Sequence, residues 1–76
     1  ALGLDHLLVA QSLDNLGEVA FSQGQYDDAR TFHERALAIE EQALGPDHPD
    51  TSFSLNSLGN VAYSQGKLEE ARALYE

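Results

Sequence analysis

The sequence has no cysteine among its 76 residues. The chain therefore forms no disulfide and offers no thiolate for a zinc site or for nucleophilic catalysis. This composition is compatible with a reducing compartment, and we expect a cytoplasmic protein. Bases are few: four Lys and Arg stand against thirteen Asp and Glu, which gives a formal net charge of −9. Because such a surface repels phosphate, we expect no nucleic-acid partner and no anionic membrane.

Long apolar runs are missing as well. No stretch is long enough to span a bilayer, and the first residues do not have the pattern of a signal peptide. A chain of this length makes at most one small domain and buries only roughly 60% of the surface that its unfolded form exposes. The sequence opens at Ala1 and ends at Glu76 in mid-pattern, so we interpret it as a piece of a longer protein.

The sequence does contain an internal repeat. When the chain is shifted by 42 positions, residues 1–34 align with residues 43–76 without a gap, and 17 of the 34 pairs are identical. The best-matched part is SLDNLGEVAFSQGQYDDAR at 12–30, which aligns with SLNSLGNVAYSQGKLEEAR at 54–72. A repeat of this length indicates stacked supersecondary units, each of which buries its apolar face against the next.

Apolar side chains recur at spacings of three and four residues, which predicts helices. The predicted helices, with no strand between them, are 8–23, 26–44, 51–65 and 68–76. Gly45 and Pro46 predict the end of the second helix, and Asp50 is the predicted N-cap of the third. Gly17 and Gly59 lie inside helices, where glycine costs about 1 kcal/mol against alanine. We therefore expect a neighbouring backbone to approach both glycines closely.

The small residues of the unit resemble the tetratricopeptide repeat. The matching positions in the first unit are Leu16-Gly17, Gly24-Gln25-Tyr26, Ala29 and Ala36-Leu37. The loop LGPDHPDT between units resembles the 42-residue repeats of kinesin light chains. The resemblance implies an all-α fold of tandem helix-turn-helix repeats, a fragment of a right-handed α-solenoid. It divides the single fragment 1–76 into the end of one repeat (1–7), a repeat (8–49) and a truncated repeat (50–76).

The resemblance also implies a function, because such solenoids bind peptides or partner proteins in a groove lined by the first helix of each unit. The groove positions carried over to this chain are Gln11, Asp14, Asn15, Glu18, Phe21 and Ser22, then Phe53, Asn56, Ser57, Asn60, Tyr63 and Ser64. The candidate partner-binding residues among them are Asn15, Glu18, Phe21, Asn56, Asn60 and Tyr63. Asp14 would repel a peptide carboxylate, so a neutral or basic partner is expected. A merely solvated groove, with Phe21 and Tyr63 serving the core, stays open as an alternative.

Other polar residues are of types that bind metals or transfer protons, but local structural roles account for them. His6 and His48 each follow an aspartate in a loop, where capping of backbone groups is favoured over a metal or acid–base site. We interpret His33 with Glu34 as a partly exposed helix pair, although an aromatic or large apolar residue is usual at position 33. The acidic runs expected on solvated outer faces are Asp27-Asp28, Glu40-Glu41 and Glu69-Glu70. Motifs for a nucleophile, a phosphate loop or a metalloprotease are absent, so we expect no catalysis, cofactor or metal.

The first inter-unit loop is apolar where the second is polar. Leu4 and Leu7 stand where the second unit has prolines, and Leu8 replaces an aspartate. Without prolines the helix can reach back to Asp5, which we predict as its N-cap. Leu4, Leu7 and Leu8 would then form an exposed apolar surface, which is typical of a contact with another chain. Two functions are therefore open: a protein-interaction module with a peptide groove, or a self-associating structural spacer of a larger signalling protein.

Overall fold

The computed structural model describes residues 4–66 and 73–75 and, within the first helix, the side chains from His6 onward. Its helices are α1 (Leu4–Ser22), α2 (Tyr26–Leu44) and α3 (Pro49–Ser64), and residues 73–75 are helical as well. This described part of the chain contains no strand. The predicted all-α fold of helix-turn-helix units is confirmed, while most of the predicted helix 68–76 lies outside the described residues.

The first helix begins earlier than its apolar periodicity alone indicates. α1 starts at Leu4, so it does reach back past Asp5. Leucine, unlike proline, keeps its backbone N–H and leaves the preceding residue free to be helical, which is why this segment continues the helix. The prediction that Asp5 caps the helix is wrong, because Asp5 lies within the first turn rather than ahead of it.

Glycines with positive φ make the two turns that follow α1 and α2. Gly24 adopts a φ of 75° between the helices, a conformation that strains any residue with a Cβ. After α2, Gly45 has a φ of 87°, and its backbone N–H donates to the carbonyl of Glu41 at 3.1 Å. Pro46 then prevents continuation, so the predicted Gly-then-Pro ending of the second helix is confirmed.

The third helix begins two residues before the position expected from sequence. Pro49 occupies its first turn, where the missing N–H of proline costs nothing because that group has no partner inside the helix. The N-cap is His48, whose Nδ1 accepts a hydrogen bond from the backbone N–H of Asp50 at 3.1 Å. The prediction of Asp50 as N-cap is therefore wrong; its carboxylate lies in the first turn, where it suits the helix dipole.

α2 is the central helix, and it packs against α1 on one side and α3 on the other. The members of the two buried apolar clusters are Ala20, Ala29 and Val61 in one, and Ala10, Leu13 and Ala36 in the other. Alanines dominate both clusters, so the helices approach closely. Phe32 of α2 packs against both and fills the space that the small side chains leave.

Aromatic rings, rather than a neighbouring backbone, explain the two glycines inside helices. A Cβ on Gly17 would lie 2.5 Å from Nε2 of His33, and a Cβ on Gly59 would lie 2.6 Å from Cε1 of Tyr75. The expectation of a close backbone is wrong, because a ring from the second helix of each unit occupies the space. His33 and Tyr75 are equivalent positions of the repeat, so the two hairpins use the same packing device.

Candidate functional site

A cleft of about 320 Å³ lies between the first helices of the two units. Its lining residues are Gln11, Asp14 and Asn15 from α1, Glu40 from α2, and Asp50 and Phe53 from α3. Three of these six residues carry a carboxyl group. Phe53 is half exposed and presents an apolar ring to the same space. The cleft therefore combines negative charge with one aromatic surface.

A second cleft of about 370 Å³ continues the first toward the start of α1. The residues that line it are Leu7, Leu8, Gln11, Glu40, Leu44, His48 and Asp50. Gln11, Glu40 and Asp50 line both clefts, so the two form one groove with an acidic part and an apolar part. We call this combined space the α1–α3 groove.

The floor of the α1–α3 groove is a buried polar cluster to which all three helices contribute. Asp14 of α1, Glu40 of α2 and Ser54 of α3 are at most 6% exposed. Ser54 Oγ lies 2.9 Å from both carboxylate oxygens of Asp14 and 2.5 Å from Oε1 of Glu40. The prediction of Glu40 on a solvated outer face is wrong, because α3 packs on α2 and brings Ser54 against its carboxyl group. We refer to these three residues with His33 as the Ser54 cluster.

Burial raises the pKa of Glu40 from its ordinary value of 4.5 to about 7. The hydrogen bond with Ser54 favours the ionised form and lowers the pKa, while a hydrogen bond with Asp14 and the negative charges of Asp14 and Asp50 raise it. A large fraction of Glu40 side chains therefore carries a proton at neutral pH. The charge of the groove floor consequently changes within a pH range that cells reach.

His33 is the fourth member of the Ser54 cluster, and its position was not predicted. The side chain is 1% exposed, so the interpretation of a partly exposed pair with Glu34 is wrong. Its Nδ1 lies 2.8 Å from Oδ1 of Asp14 and donates to that carboxylate, while Nε2 lies 3.5 Å from Oε1 of Glu18. The signal in the sequence is the repeat itself, because residue 33 is equivalent to Tyr75, whose ring packs on Gly59 as His33 packs on Gly17.

The six predicted partner-binding residues are only partly brought together. Asn15 lines the first cleft, whereas the other five lie outside the residues that line the two clefts. Four of those five are exposed, and the fifth, Phe21, is half-buried and packs with the core. Glu18 accepts a long hydrogen bond of 3.4 Å from Ser57 across the two units, and Asn60 accepts one from the hydroxyl of Tyr75.

The histidine and acidic residues of the loops and outer faces have local structural roles. His48 caps α3, which confirms the capping interpretation of the second Asp-His pair. Asp27 and Asp28 are exposed in the first turn of α2, as expected, and Asp27 accepts a hydrogen bond of 2.7 Å from Gln65. Glu41 is exposed, and the run Glu69-Glu70 lies outside the described residues.

An apolar strip on α1 faces away from the hairpin. Leu8, Val9, Leu16 and Val19 are each about half exposed. Leu7 is half-buried beside Leu8, whereas the side chain of Leu4 lies outside the described residues. The predicted apolar surface at the start of α1 is therefore present at Leu7 and Leu8, and it continues along the helix.

Within residues 4–66 and 73–75, no group of three or more His, Cys, Asp or Glu side chains is arranged to hold a metal ion. No helix in the same ranges is long and apolar enough to cross a membrane.

Comparison with known proteins agrees with the architecture. The sequence has no match among curated proteins. The profile of the tetratricopeptide repeat family matches residues 8–76, which is nearly the whole chain. The chain belongs to the tetratricopeptide repeat family and is, in general terms, a protein-interaction module.

Proposed function

We propose that the α1–α3 groove binds an extended segment of a partner protein and that this segment is neutral or basic. The observation that carries the proposal is the set of three carboxyl groups, Asp14, Glu40 and Asp50, that line one cleft of about 320 Å³. The formal net charge of −9 adds a long-range field of the same sign. Such a field speeds the association of a basic segment and disfavours an acidic one.

Two kinds of contact would hold the segment. Phe53 lines the groove and is about half exposed, and an aromatic face attracts both apolar side chains and the cations of Lys or Arg. Asn15 lines the same cleft and can donate to and accept from a peptide backbone. Asn56, Asn60 and Tyr63 are exposed further along the chain and would contact a longer segment.

Binding is tested with three capped peptides of about ten residues that share a Gly-Ser background and differ at three positions, which hold Lys, Gln or Glu. We expect the affinity to fall in the order Lys, Gln, Glu, and the spread to narrow at high salt because screening weakens the charge effect. Fluorescence anisotropy measures the binding. Equal affinities for the Lys and Glu peptides at low salt would contradict the proposal.

The groove is located with substitutions that leave the helices intact. Phe53→Ala and Asn15→Ala should lower the affinity for the Lys peptide. Asn56→Ala or Asn60→Ala should lower it as well if the bound segment runs along α3. Gln42→Ala, on an exposed position of α2, is the matched control and should have no effect. Far-UV circular dichroism checks that helicity is unchanged. Unaltered binding in all four variants would place the contact elsewhere.

We propose self-association as the second candidate function, and the exposed strip on α1 favours it. The repeat relates Leu16 and Val19 of α1 to Leu58 and Val61 of α3, 42 positions later. Leu58 and Val61 are at most 6% exposed, and Val61 packs on Ala29 of α2. The strip on α1 therefore has the residues that accept an α2-like helix, and a second copy of the chain can supply one by stacking or by helix exchange.

Sedimentation at several concentrations tests this second candidate. We expect association at high micromolar concentration and a shift toward monomer when Leu7→Asp and Leu8→Asp are combined. Val19→Asp should act in the same way, because Val19 belongs to the same strip. A chain that stays monomeric at high micromolar concentration would contradict self-association. The strip would then be a packing surface for a helix of another protein segment.

The unit length of 42 residues and the loop from Gly45 to Pro49 support a finer assignment within the family. We propose that these repeats are of the kinesin-light-chain-like type and that the array acts as a scaffold segment. Copurification of the array with a partner, lost on Phe53→Ala, would support the scaffold role.

A further inference from the structure

The Ser54 cluster contains too few protons for its short contacts if both of its carboxyl groups are ionised. The hydroxyl of Ser54 has one hydrogen and lies within hydrogen-bond distance of both Asp14 and Glu40. If that hydrogen is donated to Asp14, the contact of 2.5 Å between Ser54 Oγ and Glu40 Oε1 joins two oxygens with no proton between them. A second proton in the cluster removes this repulsion.

The contacts indicate where the second proton resides. Asp14 is close to two donors, Nδ1 of His33 at 2.8 Å and the hydroxyl of Ser54 at 2.9 Å. Glu40 is 2% exposed, and its hydrogen-bond partners are Ser54 and the carboxyl group of Asp14. Glu40 therefore carries the proton and donates it to Ser54, which in turn donates to Asp14. The chain of hydrogen bonds runs from α2 through α3 to α1.

We propose that this proton acts as a pH-sensitive lock, which holds α3 on the α1–α2 hairpin when Glu40 is protonated and loosens it when Glu40 is ionised. Ser54 is the member that α3 contributes, and it is fully buried between two carboxyl groups of the hairpin. Loss of the proton leaves two negative charges beside one hydroxyl. The repulsion between these charges is relieved when α3 moves away and admits water. Because α3 lines the α1–α3 groove, this movement also changes the shape of that groove.

Two acidic groups near Glu40, Asp14 and Asp50, both raise its pKa. Asp14 faces it from α1, Asp50 faces it from α3, and His48 lines the same cleft at the start of α3. His33, on the same helix as Glu40, is engaged with Asp14. The pKa of Glu40 accordingly rises from 4.5 to about 7, chiefly because the group is buried.

The sign of the effect follows from the proton count. A carboxyl group whose pKa is higher in the folded state binds more protons when folded, so its contribution to stability is full below pH 4.5 and is lost as the pH rises through about 7. For these two values the folding equilibrium constant falls roughly 70-fold between about pH 5 and about pH 8. Glu40→Gln removes this dependence, because glutamine donates to Ser54 at every pH.

The first experiment follows the carboxyl carbon of Glu40 in the unaltered chain by ¹³C NMR and identifies its signal by comparison with Glu40→Gln. We expect a titration midpoint near pH 7, together with shifts of the α3 amides that follow the same curve. A midpoint near the ordinary value of a glutamate would overturn the proposal. Titration near pH 7 without any response of α3 would also overturn it, because the proton would then not control the contact between helices.

The second experiment compares urea unfolding of the unaltered chain and Glu40→Gln across the same pH range. The ratio of their folding constants cancels the charge effects that both share, and we expect this ratio to change by roughly 70-fold. Glu41→Gln is the matched control, since it makes the same change at the exposed neighbouring residue of α2, outside the Ser54 cluster. This control should keep the pH dependence of the unaltered chain. Loss of the pH dependence in Glu41→Gln would overturn the assignment of the lock to Glu40.

Discussion

Gly17 is the position at which a single methyl group should do most damage. In Gly17→Ala the added Cβ would lie 2.5, 2.7 and 2.8 Å from three atoms of the His33 ring, well inside ordinary van der Waals contact. The ring is 1% exposed and cannot move outward into solvent. It must shift by roughly 1 Å within the core, which stretches its 2.8 Å hydrogen bond to Asp14.

The magnitude follows from three effects. Overpacking of a core costs about 1–3 kcal/mol, and a weakened hydrogen bond to a buried carboxylate costs about 1.5–3 kcal/mol. Replacement of glycine by alanine within a helix contributes about 1 kcal/mol of stability in the opposite direction. We therefore expect Gly17→Ala to lower the free energy of unfolding by about 3 kcal/mol. For a domain of this size, the midpoint of thermal unfolding should fall by roughly 15 °C.

Gly59→Ala is the matched comparison, because it makes the same change at the equivalent position of the repeat. Its Cβ would lie 2.6 Å from the ring of Tyr75, but that side chain is 47% exposed and has room to turn outward. We expect the gain in helix propensity to offset the loss, with a net change within about 1 kcal/mol. Thermal unfolding of both variants, followed by circular dichroism at 222 nm, measures the difference.

A double-mutant cycle decides whether the ring is the cause. In a His33→Ala background the space above residue 17 is open, so Gly17→Ala should no longer destabilise the chain and should show the helical gain of about 1 kcal/mol. A cost of Gly17→Ala that survives in this background would refute the reasoning. Equal costs for Gly17→Ala and Gly59→Ala would refute it as well.

The repeat offers further comparisons for thermal or urea unfolding. Val61→Ala should lower the free energy of unfolding by about 2 kcal/mol, because it removes buried methyl groups and leaves a cavity. Val19→Ala, at the equivalent exposed position, should change it by no more than about 0.5 kcal/mol. Equal losses for the two variants would show that Val19 is covered. Thr51→Val removes the 2.8 Å hydrogen bond to the carbonyl of Gly45 and should cost about 1 kcal/mol, and no loss would mean that water replaces the donor. His48→Ala deletes the N-cap of α3 and should also cost about 1 kcal/mol, with an unchanged stability arguing against the cap.

Local chemistry was sufficient to predict most of the fold. The repeat of 42 residues, the spacing of the apolar side chains and the Gly45-Pro46 ending placed α1, α2 and α3 within a few residues of their observed bounds. These signals depend on groups that lie close together along the chain, so a single sequence contains them. The lack of prolines in the first loop likewise predicted that α1 would start early, and it does start at Leu4.

The candidate site could be predicted less completely from the sequence than the fold, and the reason is physical. Glu40 and Glu41 are neighbours of the same type, yet the first is 2% exposed and the second is exposed, because helix rotation points one toward α3 and the other toward water. Asp14 and Ser54 are 40 positions apart and meet only when the two units stack. Whether a carboxyl group is a solvated charge or a buried proton carrier depends on its dielectric surroundings, and those are set by the packing of distant segments.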